Sequence, residues 1–157
     1  MPKPQKLKDD EDERSTPVGF FNVAESYWRA AVALENAKLK STHPGSPISF
    51  LYYHAIELYL KSFLRMHGHS AHELRGRHFG HRTCCLSERA GALGLYFDDE
   101  DLEVFSLMST TDAVIRSRYI QTGYFHWPTT KALDRTCKSL RQSVGQALKK
   151  NGIPLRL

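Results

Sequence analysis

Residues 50–64 read FLYYHAIELYLKSFL, and this stretch decides the fold. On a helical wheel at about 100° per residue, its apolar side chains surround most of the circumference, as in a helix at the centre of a bundle. The polar exceptions share one arc. With His54 at zero, Glu57 falls at about −60°, Lys61 at about −20° and Arg65 at about +20°. His54, Glu57, Lys61 and Arg65 therefore form one polar line along an otherwise apolar helix. Glu57 and Lys61 stand four residues apart in the favourable acid-to-base order. The line reads either as a solvated edge with an ordinary ion pair or as the wall of a cleft or subunit interface, where Glu57 would orient Arg75 or His81. Burying such groups is costly unless they are paired, so a partner is expected in either case.

The neighbouring segments repeat the helical period. Phe20, Phe21, Ala24, Tyr27, Trp28, Ala31 and Leu34 recur at three- and four-residue steps, predicting a first helix over about 18–39. The stretch STHPGSP at 41–47 ends it, and the central helix is expected over about 48–66, closed by Gly68. Residues 70–80 read as an irregular or single-turn element, followed by a third helix over about 81–93. A fourth opens at the acidic cluster Asp98–Asp101 and runs to about 120. Its acidic first turn and basic last turn suit the helix dipole, and Leu102, Phe105, Met108, Ile115 and Tyr119 form its expected inner face. A fifth starts near Pro128 and Thr129, carries Leu133, Cys137, Leu140, Val144 and Ala147 or Leu148 on one stripe, and ends at Gly152 and Pro154. Sustained period-two alternation is missing, so strands are not expected. The predicted fold is all-α, an antiparallel bundle of four to five helices. Residues 1–16 read as a disordered tail, 17–152 as one domain and 153–157 as a C-terminal tail.

Composition narrows the function classes. With 157 residues, 41% hydrophobic and 25% charged, the chain is long enough for a single core and ordinary for a soluble globular domain. No apolar run reaches about 18 residues, so no membrane span is expected. The polar N-terminus lacks the apolar core of a secretory signal. Three cysteines, two of them adjacent, fit a reducing compartment rather than a disulfide framework, and the protein is expected to be cytoplasmic. The net charge of +5 is unevenly spread. Residues 61–89 hold six Lys/Arg against two Glu, with five histidines, and residues 131–157 hold seven Lys/Arg against one Asp. Two such basic segments either serve as solubilising helix faces or attract a polyanion.

The chemistry concentrates in MHGHSAHELRGRHFGH, residues 66–81. Arg75 and His81 stand with five residues between them, directly after the polar-striped helix. This order resembles the HEPN superfamily of small α-helical domains, whose recurrent signature is Arg, four to six residues, His. The resemblance spans about residues 20–148. It implies a four- or five-helix bundle, usually dimeric, in which Arg and His from two subunits face each other across a cleft. Many such proteins are metal-independent endoribonucleases of toxin–antitoxin or defence systems. Others bind a nucleotide, RNA or a partner protein without catalysis. Carried onto this chain, the catalytic positions are Arg75 and His81; the polar line adds Glu57, Lys61 and His54 as expected supporting residues. The expected partners are RNA, a second copy of the chain and an antitoxin-type protein. No cofactor is called for.

The residue types suit that chemistry independently. RNA carries its own nucleophile, a 2′-OH beside each phosphate. A neutral histidine, with an unperturbed pKa of about 6.5, can take its proton. A guanidinium stabilises the charge that builds on phosphorus. Gly80 is expected to set His81 in the first turn of the third helix, where backbone N–H groups favour a phosphate. Arg77 and Arg82 flank the motif as RNA contacts. RSRYIQTGYFHW, residues 116–127, reads either as a helix end and turn whose aromatics cap the bundle core or as an RNA contact, in which Arg118 is the best candidate for a phosphate and Tyr119 for base stacking.

Two other readings compete. His67, His69, His72, His78, His81, Cys84 and Cys85 offer zinc-type donors within nineteen residues, but without a C-x₂-C or H-x₃-H pair. Cys84, near a helix start and His81, is a candidate nucleophile lacking an evident third orienting group.

Overall fold

The computed structural model describes residues 14–110 and 127–156. Among them are six helices and no strand: α1 (Pro17–Ala37), α2 (Gly45–Met66), α3 (Ala71–Arg75), α4 (Thr83–Ala92), α5 (Asp99–Thr110) and α6 (Thr130–Lys150). None of them is long and apolar enough to cross a membrane.

Local chemistry explains most helix starts. Thr16, Ser70 and Thr129 each accept a backbone N–H two or three residues into the helix they precede, capping α1, α3 and α6. Asp98 and Asp101 cap α5 reciprocally. Asp98 Oδ1 accepts the Asp101 N–H at 2.9 Å, and Asp101 Oδ2 accepts the Asp98 N–H at 3.3 Å. The central helix starts three residues earlier than the sequence suggests. Pro47 falls in its first turn, where the missing N–H has no partner to lose. At its far end Gly68, with φ 94°, turns the chain out of the helix.

α2 is the axis of the molecule. α1 lies along it, α6 packs on it, and α4 covers another side while itself meeting α5. From Tyr52 to Leu64 nearly every α2 residue is buried, and Phe21, Leu74, Leu86, Met108, Leu133 and Leu140 close round it from the other five helices. Three tyrosines on α2 are fully buried, and each hydroxyl still needs a partner. Tyr52 donates to Glu35 of α1 at 2.8 Å, and Tyr59 donates to Glu25 of α1. Burial, reinforced by these carboxylates, pushes both phenols well above their ordinary value, while burial takes Tyr53 up to about 12.

Three expectations need correction. Residues 14–16 do not belong to a free tail. Thr16 caps α1, Arg65 Nε donates to the Ser15 carbonyl at 2.9 Å, and residues 1–13 lie outside the described residues. At the other end Ile153 and Leu155 pack against the core instead of trailing from it. On α5, Phe105 and Met108 are buried as expected, but Leu102 is 50% exposed and Asp101 takes the inward position. The reason is an arginine on another helix. Arg135 of α6 binds Asp98 at 2.8 Å and Asp101 at 3.0 Å, and Ser139 donates to Asp101 at 2.9 Å. That cluster sets the rotation of α5. Ile115 and Tyr119 lie outside the described residues.

Candidate functional site

The polar line on α2 brings its middle two residues together with the loop that follows α3. Glu57 is 1% exposed and Lys61 5% exposed, and Lys61 Nζ lies 2.5 Å from Glu57 Oε1. The other carboxylate oxygen, Oε2, stands 2.9 Å from His81 Nδ1. Each oxygen of one buried carboxylate therefore has its own nitrogen partner. Burial opposes the charge on Glu57, but the hydrogen bond from His81 and the charge of Lys61 outweigh it and hold the carboxyl below its ordinary value.

An ionised carboxylate only accepts hydrogen bonds, so Nδ1 of His81 carries the hydrogen and donates it. In the neutral ring the lone pair is then on Nε2. The His81 side chain is 36% exposed, and no hydrogen bond from a described residue reaches Nε2. A buried acid fixing one imidazole nitrogen while the other stays open is the geometry of an oriented general base.

The loop places His81 by two means. Phe79 is 3% exposed and takes the rings of His69 and His78 against its edges, which anchors the loop to the core. Gly80, at φ 33°, then turns the chain, and a Cβ there would stand 3.1 Å from the Gly76 carbonyl oxygen. His81 is delivered towards α2 and does not open a helix. α4 starts at Thr83 with Arg82 at its cap, so the expected helix-start effect on His81 gives way to the Glu57 carboxylate.

The other candidates are spread round this centre. His54 sits one turn before Glu57, half-buried, with the Tyr27 ring edge-on at 4.4 Å and Phe50 stacked at 5.9 Å. Arg65 departs from the line's proposed role, tying the Ser15 carbonyl and the His69 carbonyl, the latter at 3.4 Å. Arg75 closes α3 with an exposed side chain, and Arg77 and Arg82 are exposed in the same loop. Arg118 and Tyr119 lie outside the described residues.

Sequence reasoning missed a supporting triad. His69 Nδ1 lies 3.0 Å from Glu73, and Arg89 Nε donates to His69 Nε2 at 3.2 Å. This joins the turn after α2 to α3 and α4, the two helices flanking the His81 loop. The four-residue spacing of His69 and Glu73 was the available signal; Arg89, twenty residues on, had none.

Among the described residues, no three His, Cys, Asp or Glu side chains converge into a metal-holding group. The Cys84 and Cys85 sulfurs lie 3.7 Å apart. Burial, then the hydrogen bond with Cys84, raises the Cys85 pKa, which favours the thiol over the nucleophilic thiolate. No protein-family model, curated protein or solved structure matches this chain.

Proposed function

We propose that the chain is a HEPN-type protein that acts on RNA, with His81 as the general base of a metal-independent endoribonuclease. The observation that carries this reading is the Glu57–His81 pair, a buried carboxylate on Nδ1 of a ring that is 36% exposed. His81 Nε2 takes the proton of a 2′-OH as that oxygen bonds to the adjacent phosphorus. Glu57 holds the tautomer and stabilises the imidazolium that forms. Arg75 meets the charge on the phosphoryl oxygens, and Arg77 and Arg82 hold flanking phosphates. The bond from phosphorus to the 5′-oxygen breaks, that oxygen takes a proton from the His81 of a second copy, and the products are a 2′,3′-cyclic phosphate and a 5′-hydroxyl. A homodimer supplies both histidines, and an antitoxin-type protein would restrain the activity in the cytoplasm. A non-catalytic binding module would use the same arginines, but it has no need of an oriented imidazole, so the enzyme is the reading we favour.

The test is cleavage of labelled single-stranded RNA in EDTA. His81→Ala should lower the rate by about 10²–10⁴-fold, the usual contribution of a positioned acid or base. Equal cleavage by both proteins sinks the assignment of His81. Binding without cleavage in either protein, weakening steeply with salt, replaces the enzyme with a binding module.

A further inference from the structure

A second polar feature lies on the other side of α2. Tyr59 is two residues beyond Glu57 and so points about 200° away round the helix. Its hydroxyl donates to Glu25, and Glu25 in turn receives Arg141 Nε at 2.8 and 2.9 Å. Arg141 opens into a groove of about 490 Å³ between α1 and α6. That volume falls within the range of ligand sites, about 300–1,000 Å³.

The walls of the groove are unlike each other. One is Trp28 of α1, whose indole N–H donates to Asp134 at 2.8 Å and whose ring carries the Arg141 guanidinium 5.7 Å from its centroid. The indole is therefore fixed before anything binds. The other wall is α6, where Lys138, Gln142, Gln146 and Lys149 fall within an arc of about 80° and span about 16 Å. Gly145 forms part of the floor, and a Cβ there would reach ordinary contact with Phe21. Lys138 is paired with Asp134 at 2.7 Å and Arg141 with Glu25, so the uncompensated charge lies at the Lys149 end. Lys149 is exposed and has no ion-pair partner among the described residues. The surrounding residues 131–157 carry an excess of six positive charges.

A fixed aromatic ring under a guanidinium, two exposed amides and a row of cations together match one ligand class. The ring and guanidinium stack on an unpaired base, the amides meet base or sugar edges, and the lysines meet phosphates. We infer that the Trp28–Lys149 groove is a second binding site for single-stranded RNA, separate from the His81 loop and on the opposite side of α2. This rests on the reading of the protein as acting on RNA. It adds a holding site to the cutting site and predicts that affinity and cleavage are separable.

Two readouts on the full chain test it. Trp28 and Trp127 are the only tryptophans, so in Trp127→Phe the indole emission comes from the groove alone. The probe is an oligouridylate. Anisotropy of the labelled strand reports binding anywhere on the protein, and Trp28 emission with unlabelled strand reports binding in the groove. Both signals should saturate at the same concentration, and Lys149→Ala should weaken both and lower the salt slope by about one unit. Anisotropy that rises while Trp28 emission stays constant overturns the groove but leaves the RNA reading standing. Unchanged affinity and slope in Lys149→Ala do the same. A strand that produces neither signal overturns the RNA reading itself, and the groove with it.

Discussion

Glu57 and Glu25 are two nearly buried carboxylates that meet α2 on opposite sides, and their partners differ in one respect. Glu25, 12% exposed at its side chain, binds Arg141 through both oxygens, accepts the Tyr59 hydroxyl and lies 3.7 Å from Arg29. Every one of those groups keeps its proton at any working pH. Glu57, 1% exposed, is held by Lys61 and by a histidine. The cost of burying an acid is met in both places, once by permanent cations and once partly by a group that exchanges protons. The first arrangement clamps α1 to α6. The second places a titratable ring at the surface with one nitrogen committed and the other available. Burial of a charge therefore does not itself identify a site; the chemistry of its partner does.

Removing charge from the two acids should break the symmetry most strongly. Glu57→Gln leaves Lys61 almost wholly buried beside a neutral amide, and breaking a buried pair in this way costs about 3–5 kcal/mol. Glu25→Gln should cost only about 1–2 kcal/mol, because Arg141 is 29% exposed and can turn to water. Urea unfolding of the two variants measures the difference. Glu57→Gln combined with Lys61→Met should recover most of the loss while leaving His81 Nδ1 against a neutral amide oxygen in place of the carboxylate. Equal destabilisation by the two single variants would remove the distinction drawn between the acids.

The pH dependence of stability is the next largest effect. The Glu57 carboxyl is held below its ordinary value of 4.5 in the folded chain. A lowered folded pKa means that its contribution is fully present above the unfolded pKa and disappears as pH falls through the folded one. Wild type should therefore lose stability on acidification below about 4.5, and Glu57→Gln should lose less over the same interval. Asp98, held low by Arg135, titrates in the same acidic range and persists in both proteins, so the difference between the two curves isolates Glu57. Parallel curves would show that Glu57 is not ionised against Lys61 and His81.

The contrast also explains what was legible in the sequence. α2 announced itself because its apolar residues run round the whole helix, and Glu57 with Lys61 because both belong to one helical arc. These are local periodicities, fixed by about 3.6 residues per turn. Glu25–Arg141 spans 116 residues and Asp98–Arg135 spans 37, and no periodicity links such positions. The rotation of α5 depended on Arg135, so Leu102 was assigned to the wrong face. The motif residues Arg75 and His81 were identifiable by spacing, but the position of His81 was not. It depends on Phe79 seating in the core and on Gly80 turning the chain, which delivers the ring to Glu57 two residues before α4 begins.

Gly80→Ala tests that delivery with a change in stability comparable to that of Glu25→Gln. At φ 33° the residue occupies the left-handed region, where an L side chain costs about 1–2 kcal/mol. The added Cβ would also sit 3.1 Å from the Gly76 carbonyl oxygen, a backbone atom of the same loop that cannot swing aside as a side chain can. The loop should relax by shifting residues 76–81, which moves the imidazole away from a carboxylate that is itself fixed on a buried helix. Stability should fall by about those 1–2 kcal/mol, since Phe79 still anchors the loop, while the RNA cleavage proposed for His81 should drop far more than that loss accounts for. Glu25 and its arginine lie across α2 and should be untouched, so oligouridylate binding followed at Trp28 should keep its wild-type midpoint. Loss of both cleavage and the Trp28 signal together would mean that the two sides of α2 are not independent. Cleavage retained at the wild-type rate would mean that the Gly80 turn does not control where His81 stands.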